Sequence, residues 1–449
     1  MKEIYSALEL TDNVVFAKDC ASLPSCFQVS RLLSSAVGAV GSALSTLVTR
    51  AGIASDRPEI AVDCRLASLW CARSIYPLDW SLPPIWDALS GDYPTRNGWI
   101  RIHANLAHHR KAALRVLKAA ATREDVAHAV REMDAEDLEL AINEDGGAAA
   151  AMRSLSEWRA HPQGIAVSSE PLIAWEPVDQ QCPRSWPAQR HRPLNGLRIL
   201  DLTRVLAGPV ATRTLAGFGA QVLRVDPPDW DEPAVVPDVT LGKRCTRLDL
   251  RQPDDRVRFE ALLRDADVLV HGYRPGALEG LGYTAAARHA LNPRLIEVSL
   301  NAYGWTEPWS RRRGFDSLVQ MSCGIAWAGM KWKGKPHPVP LPVQALDHAT
   351  GYLMAAAVLR MLDVAISGGG ISRAKLSLAR TAVLLSNHRR DSVGKLDMSA
   401  KADDLAAGIE RTPWGDARRL KPPLAISGIP MKWDRPAIML GADPAAWIP

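Results

Sequence analysis

With 449 residues, 47% of them hydrophobic, the chain is long enough for two or three domains and apolar enough to fill sizeable cores. Its net charge of +5 is spread out, with short clusters such as Arg311-Arg312-Arg313 in place of a basic tail, which argues against nucleic acid and suits a small polyanion. Seven cysteines at irregular spacings, without a CxxC pair or a paired His/Cys pattern, indicate neither a zinc site nor a disulfide framework, so no metal and a cytoplasmic setting are expected.

The first twenty residues, MKEIYSALELTDNVVFAKDC, mix acids with apolar residues and make a poor signal peptide. Residues 32–49 are uncharged but rich in Ser, Gly and Thr, which predicts a buried helix and no membrane span. Residues 1–160 read mainly as helices, including 110–120 and 136–144, with short strands near Ile60 to Asp63 and Trp99 to His103. From about 160 to 196 prolines and polar residues replace helical periodicity.

After Gly196 the pattern alternates. Strands are expected at Arg198 to Leu202, Gln221 to Val225, Val268 to His271 and Leu295 to Leu300, with helices running to Phe218, around Arg256 to Arg264 and near Thr284 to Leu291. Short β-rich runs separated by helical patterns predict an α/β fold with a parallel sheet. An internal echo joins 34–70 to 350–381: a small-residue helix, a glycine-containing break, a short strand and a second helix start. Periodicity by itself leaves repeat and chance equally open.

The first βαβ unit, GLRILDLTRVLAGPVATRTLAGFGAQVLRVDPP, offers a helix amino terminus where unpaired N–H groups and the helix dipole favour phosphate. Its loop reads AGPVAT where a dinucleotide fold would have GxGxxG, so an NAD-type site is disfavoured and an ordinary turn stays open. Lys243 and Arg244 lie in a loop beside a strand, and Arg274 follows the strand ending at His271, where it would face the crevice at the carboxyl ends of the strands. A solvated surface arginine is the alternative. In LPVQALDHATGYLMAAAVLRML, residues 341–362, the local sequence makes Asp347 a helix cap first and a carboxylate nucleophile second, and His348 solvent-facing or structural.

Taken in order, PLNGLRILDLTRVLAGPVATRTLAGFGAQVLRVDPP, GKRCTRLDLRQP, RDADVLVHGYRPGALEGLGY, LNPRLIEVSLNAYG, GFDSLVQMSCGIAWAGM and QALDHATGYLMAAAVLRML resemble the amino-terminal half of the class III CoA-transferase (CaiB/BaiF) family. Residues 60–175 resemble later parts of the same family, through IAVDCRLASLW, DYPTRNGWIRIHANLAHHRKAALRVL and WRAHPQGIAVSSEPL. The resemblance implies a fused, partly duplicated chain: a degenerate copy at 1–190, a Rossmann-like CoA-binding and catalytic domain at 191–365, and a second-copy segment at 366–449. It implies a Rossmann-like parallel sheet with a smaller α+β domain, in an architecture where two polypeptides interlock. A homodimer, or a fused chain mimicking that dimer, follows.

The resemblance further implies transfer of coenzyme A from an acyl-CoA to a carboxylic acid, with Asp347 as nucleophile forming an anhydride and then an aspartyl-CoA thioester. Arg204, Leu206, Ala207 and Gly208 match the lining of the CoA channel, Arg274 matches a phosphate-binding arginine, and Lys243 and Arg244 match a GKRS segment near phosphate or adenine. The stretch from Asp226 to Lys243 is shorter than usual, and Pro227 replaces an arginine found in some members. The racemase branch places a histidine where this chain has Phe315, whose ring cannot move a proton. A CoA-binding pseudoenzyme or assembly partner is the reading from a different class.

Overall fold

A computed structural model of the chain describes all residues except 12, 17–21, 178–185, 187–188, 391–395 and 449, and leaves out the side chains of 371 and 372. Seven strands form the main sheet: β1 (Ala174–Pro177), β2 (Arg198–Leu202), β3 (Gln221–Asp226), β4 (Lys243–Arg247), β5 (Val268–His271), β6 (Ile296–Asn301) and β7 (Ile371–Ser377). Their spatial order is β4-β3-β2-β5-β6-β7-β1, parallel throughout except for β1, which pairs antiparallel with β7 at one edge. Val268 stands between Ile199 and Ile296, so register is fixed by apolar residues buried on both sides.

The chain leaves β2 toward one edge of the sheet and resumes at β5 toward the other. The reversal opens a crevice at the carboxyl ends of β2 and β5, where open α/β sheets bind ligands. The expected strands and helices after Gly196 are present, with β3 one residue longer than expected and β6 displaced by one residue. The strand β4 was not foreseen, because its Lys243-Arg244 start reads as a solvated loop; both side chains are buried.

Two long apolar helices lie side by side in the core: α1 (Val29–Arg50) and, after β6, the helix Ala345–Ile366. By length and composition either could cross a membrane, yet 89% and 78% of their most apolar stretches are buried inside the protein. The second of these also packs on α2 (Ala207–Ala216), the helix after β2. Gly351 permits that close crossing: a Cβ there would sit 2.3 Å from the Ala207 carbonyl oxygen. The crossing holds the start of the long helix against the loop that follows β2.

Three smaller sheets complete the fold. One joins 14–16, 60–62 and 424–426, a second joins 75–77, 405–412 and 415–420, and a third joins 91–94, 99–102 and 149–151. The first two splice the beginning and end of the chain together, Val62 pairing with Leu424 and Ile75 with Arg419. Cys26, Cys71, Cys245 and Cys323 are buried free thiols, whereas Cys64 is disulfide-bonded.

Candidate active site

Asp347 is the third residue of α4 (Ala345–Ile366), preceded by Gln344 at the capping position without a side-chain cap. The cap comes from elsewhere in the chain. Asp316, the first residue of α3 (Asp316–Ser322), accepts the backbone N–H of Asp347 on Oδ2 at 2.9 Å. Gln320, one turn along α3, donates to Asp316 Oδ1 at 2.5 Å and accepts the N–H of Leu341 at 2.6 Å. This corrects the first local reading of Asp347: Asp316 does the capping, and the Asp347 carboxyl is left for a ligand.

Both acids are buried, and burial is the main reason that both hold protons more tightly than ordinary carboxyls. Asp316 is pushed up to about 6, its donors partly opposing the rise. Asp347 is raised well above the usual range by burial and then by the neighbouring Asp316 charge. Asp347 nevertheless keeps 7% of its surface exposed, and it borders two cavities of about 300 and 360 Å³.

The smaller cavity lies between the carboxyl ends of β2 and β5 and is basic. Arg204 places its guanidinium between the rings of Trp230 and Tyr273, 4.6 and 5.0 Å from their centroids, and donates to the Tyr273 hydroxyl at 2.9 Å. Arg274 is exposed, held by one hydrogen bond to the Arg311 carbonyl at 3.2 Å. Although the residue as a whole is exposed, its guanidinium is partly withdrawn from water, and that desolvation first and the charge of Arg313 second lower its pKa from the ordinary value. Two guanidiniums that repel each other at a cavity mouth favour an anion between them, because an anion offsets both charges. Among the described residues Arg313 makes no ion pair, whereas Arg312 is already committed to Glu139 at 2.8 Å and to the Trp309 ring at 3.8 Å.

The loop dividing the cavities carries backbone strain. Val205 has φ +65°, a left-handed conformation that a β-branched side chain adopts at a cost of about 1–3 kcal/mol. Its N–H is fixed by Glu232 Oε2 at 2.9 Å, while the other Glu232 oxygen receives Arg224. This turn brings Val205 and Ala207 to the basic cavity and Leu206 to the larger one.

The remaining residues expected at the ligand are elsewhere. Gly208 lines neither cavity and serves helix-to-strand packing, since a Cβ there would approach Thr203 side-chain atoms to 2.3 Å. Lys243 is fully buried and spent on Asp201 Oδ2 at 2.9 Å and the Pro209 carbonyl at 3.1 Å. Arg244 bonds the carbonyls of Ala446 and Pro444 and the Asp443 carboxylate, beside a separate cavity of about 90 Å³. The expectation that Lys243 and Arg244 meet phosphate or adenine is therefore corrected: they hold the sheet and the end of the chain together. His348 is buried away from both cavities, and burial pushes its pKa down to about 3.

Two histidines not foreseen, with a phenylalanine singled out only for standing where the racemase branch has its histidine, complete the site. Phe315 borders both cavities and stacks on the His103 ring, centroids 3.7 Å apart and planes within 3°. His103 and His109, from the part of the chain before the sheet, are pushed down to about 3, mainly by burial, and are neutral near pH 7. Among the described residues no cluster of three or more His, Cys, Asp or Glu could hold a metal.

Residues 194–398 match the model of CoA-transferase family III. The chain is 37% identical over 216 residues to an acetyl-coenzyme A transferase of Hypoxylon pulicicidum, covering 47% of this chain and 36% of that protein. It is 34% identical over 154 residues to an acetyl-CoA:oxalate CoA-transferase of Acetobacter aceti, covering 32% of this chain and 40% of that one. The chain thus spans less than half the length of these two curated relatives. The crystal structure of the hypothetical protein Rv3272 from Mycobacterium tuberculosis aligns at 31% identity and TM-score 0.40, over 44% of this chain and 57% of that chain. Residues 194–398, which carry β2 to β7, Arg204, Arg274, Asp316 and Asp347, are thus the part of the chain that is similar to CoA-transferase family III.

Proposed function

We propose that the protein transfers coenzyme A from an acyl-CoA to a free carboxylic acid, with Asp347 as nucleophile. The observation that carries this reading is the position of one uncapped carboxyl at the border of a basic and an apolar cavity, so that it can meet a thioester whose two halves differ in polarity. The names of the relatives, an acetyl-coenzyme A transferase and an acetyl-CoA:oxalate CoA-transferase, support the same reaction class.

In this mechanism an Asp347 oxygen attacks the thioester carbonyl carbon, the C–S bond breaks, and CoA leaves as thiolate, giving a mixed anhydride. The thiolate attacks the aspartyl carbonyl, the bond to the donor carboxylate breaks, and an aspartyl-CoA thioester remains. The acceptor carboxylate attacks that thioester and expels thiolate again. Attack of the thiolate on the acceptor acyl carbon then forms the new acyl-CoA and frees Asp347. Each step exchanges one acyl bond for another of similar energy, so no thioester energy is lost to water. The basic cavity retains the thiolate-bearing CoA between steps through Arg204, Arg274 and Arg313.

Racemisation is disfavoured, because Phe315 occupies the position of that branch's histidine and the neighbouring His103 and His109 are very weak bases. The test is trapping: incubation with an acyl-CoA, quenching with hydroxylamine and peptide mass spectrometry. A donor-dependent hydroxamate on Asp347, lost in Asp347→Asn, is expected. Binding of CoA without adduct or exchange would leave a CoA-binding protein.

A further inference from the structure

The larger cavity beside Asp347 differs in character from the basic one. Pro84, Ile85 and Trp86 line it, and so do Pro233, Ala234 and Val235. Ile85 and Trp86 keep 51% and 36% of their surface exposed, an unusual outlay of large apolar groups unless something apolar covers them. At about 360 Å³ the cavity is within the ordinary range for small-molecule sites.

Its charged lining is of one sign. Asp87, Asp231, Glu232 and Asp316 border it, and among the described residues no lysine or arginine does. Arg101 lies over the Trp86 ring at 4.8 Å, but it is paired with Asp92 at 2.7 Å and does not line the space. His103, the imidazole in the lining, has no carboxylate within ion-pair distance among the described residues and is stacked on Phe315. Asp87 is paired with Arg110 at 3.1 Å and Glu232 with Arg224, so these arginines are spent on the lining acids. A second carboxylate on a bound acyl group would be desolvated with no uncommitted cation among the described lining residues, which costs far more than burial of a hydrocarbon.

We infer that the acyl groups exchanged are apolar monocarboxylic ones, with a hydrocarbon or aryl tail held against Trp86 and Val235, and that dicarboxylic acyl groups are excluded. The inference rests on the transferase reading for its chemistry and on this cavity for its selectivity. One wall comes from residues 84–86, outside the matching segment 194–398, so the part of the chain before that segment sets selectivity for chemistry carried within it.

Two unreactive thioethers, S-hexyl-CoA and S-(3-carboxypropyl)-CoA, separate selectivity from reaction when their binding to the whole chain is measured by calorimetry. S-hexyl-CoA is expected to bind tighter by about 100-fold, the range that a few buried methylenes supply. Hexanoyl-CoA should exceed succinyl-CoA as donor by a similar ratio of kcat/KM. Trp86→Ala should weaken S-hexyl-CoA and leave CoA itself unchanged, and Ala234→Arg should narrow the preference at least tenfold by supplying a cation. Equal or tighter binding of the carboxypropyl compound, or no binding of either, overturns the inference. Preference for the hexyl compound without any CoA exchange upholds the cavity's selectivity and overturns the transferase reading, while exchange that favours succinyl-CoA does the reverse.

Discussion

Asp316 accepts the backbone N–H of Asp347 at 2.9 Å, so the two acids divide the work at the start of α4. Asp316 satisfies the amides of the helix end and, when ionised, opposes ionisation of its neighbour. Asp347, freed from capping, faces the two cavities. A helix amino terminus ordinarily favours negative charge, but here that charge is already supplied by Asp316, and burial leaves Asp347 reluctant to carry a second one.

Asp347→Asn should abolish CoA exchange, by about 10³-fold or more, as removal of a nucleophile does. It should also stabilise the fold. The folded chain binds a proton at Asp347 more tightly than the unfolded chain, so the associated stability is present below the unfolded carboxyl pKa and is lost as pH rises through the folded one. Asparagine escapes that loss. Thermal melts should place the variant above the wild type at neutral pH, with the gap closing near the unfolded value of about 4. An equal or lower melting temperature at neutral pH would contradict the burial argument.

Asp316→Asn should move the pH profile. On the proposed mechanism Asp347 attacks only when ionised, so kcat/KM should fall with decreasing pH through an apparent pKa above the ordinary carboxyl range, one that belongs to the pair. Removing the Asp316 charge takes away one of the two causes that raise Asp347, so the limb should shift to lower pH. Asparagine can still accept the Asp347 N–H through its side-chain oxygen, which keeps the helix end satisfied. An unmoved limb would show that the two acids do not communicate.

Lys243→Met should destabilise by about 3–5 kcal/mol, because it strands Asp201 as an unpaired buried charge, and should leave CoA affinity of the folded fraction unchanged. Calorimetry beside denaturant melts checks both. A loss of CoA affinity without loss of stability would return Lys243 to the ligand.

The central strands β2, β3, β5 and β6 were legible because each is a short, largely apolar run buried on both faces, and such runs announce themselves without reference to partners, as Ile199 and Val268 illustrate. Asp347 was singled out through the order of motifs upstream, while its local reading as a cap failed for a reason no window could reveal: the true capping carboxylate is 31 residues away. Lys243 was misread because a lysine at a strand start looks solvated until its buried partner Asp201, 42 residues earlier, is in place. Arg313 belonged to a cluster already suited to a small polyanion, but the commitment of Arg312 to Glu139 and Trp309 is what leaves Arg313 as the available member. The walls at 84–86 and 103–109 carry no chemical motif of their own and acquire a role only by being folded against Phe315 and Val235.

Arg274→Ala and Arg313→Ala should each raise KM for an acyl-CoA by about tenfold to a hundredfold, the worth of one or two charge-assisted hydrogen bonds to phosphate. Contacts to the non-reacting phosphates bind substrate and transition state alike, so kcat should change little. The wild-type KM should rise with ionic strength, and the double variant should respond less, since the exposed Arg274 and half-buried Arg313 guanidiniums that salt screens are gone. Arg312→Ala is the internal contrast. Its guanidinium is held by Glu139 and stacked on Trp309, so its loss should lower thermal stability and leave the salt dependence of KM intact. If Arg312→Ala flattened that dependence and Arg274→Ala did not, the anion would sit deeper in the cavity than its mouth, and the assignment of Arg274 and Arg313 to the phosphates would fall.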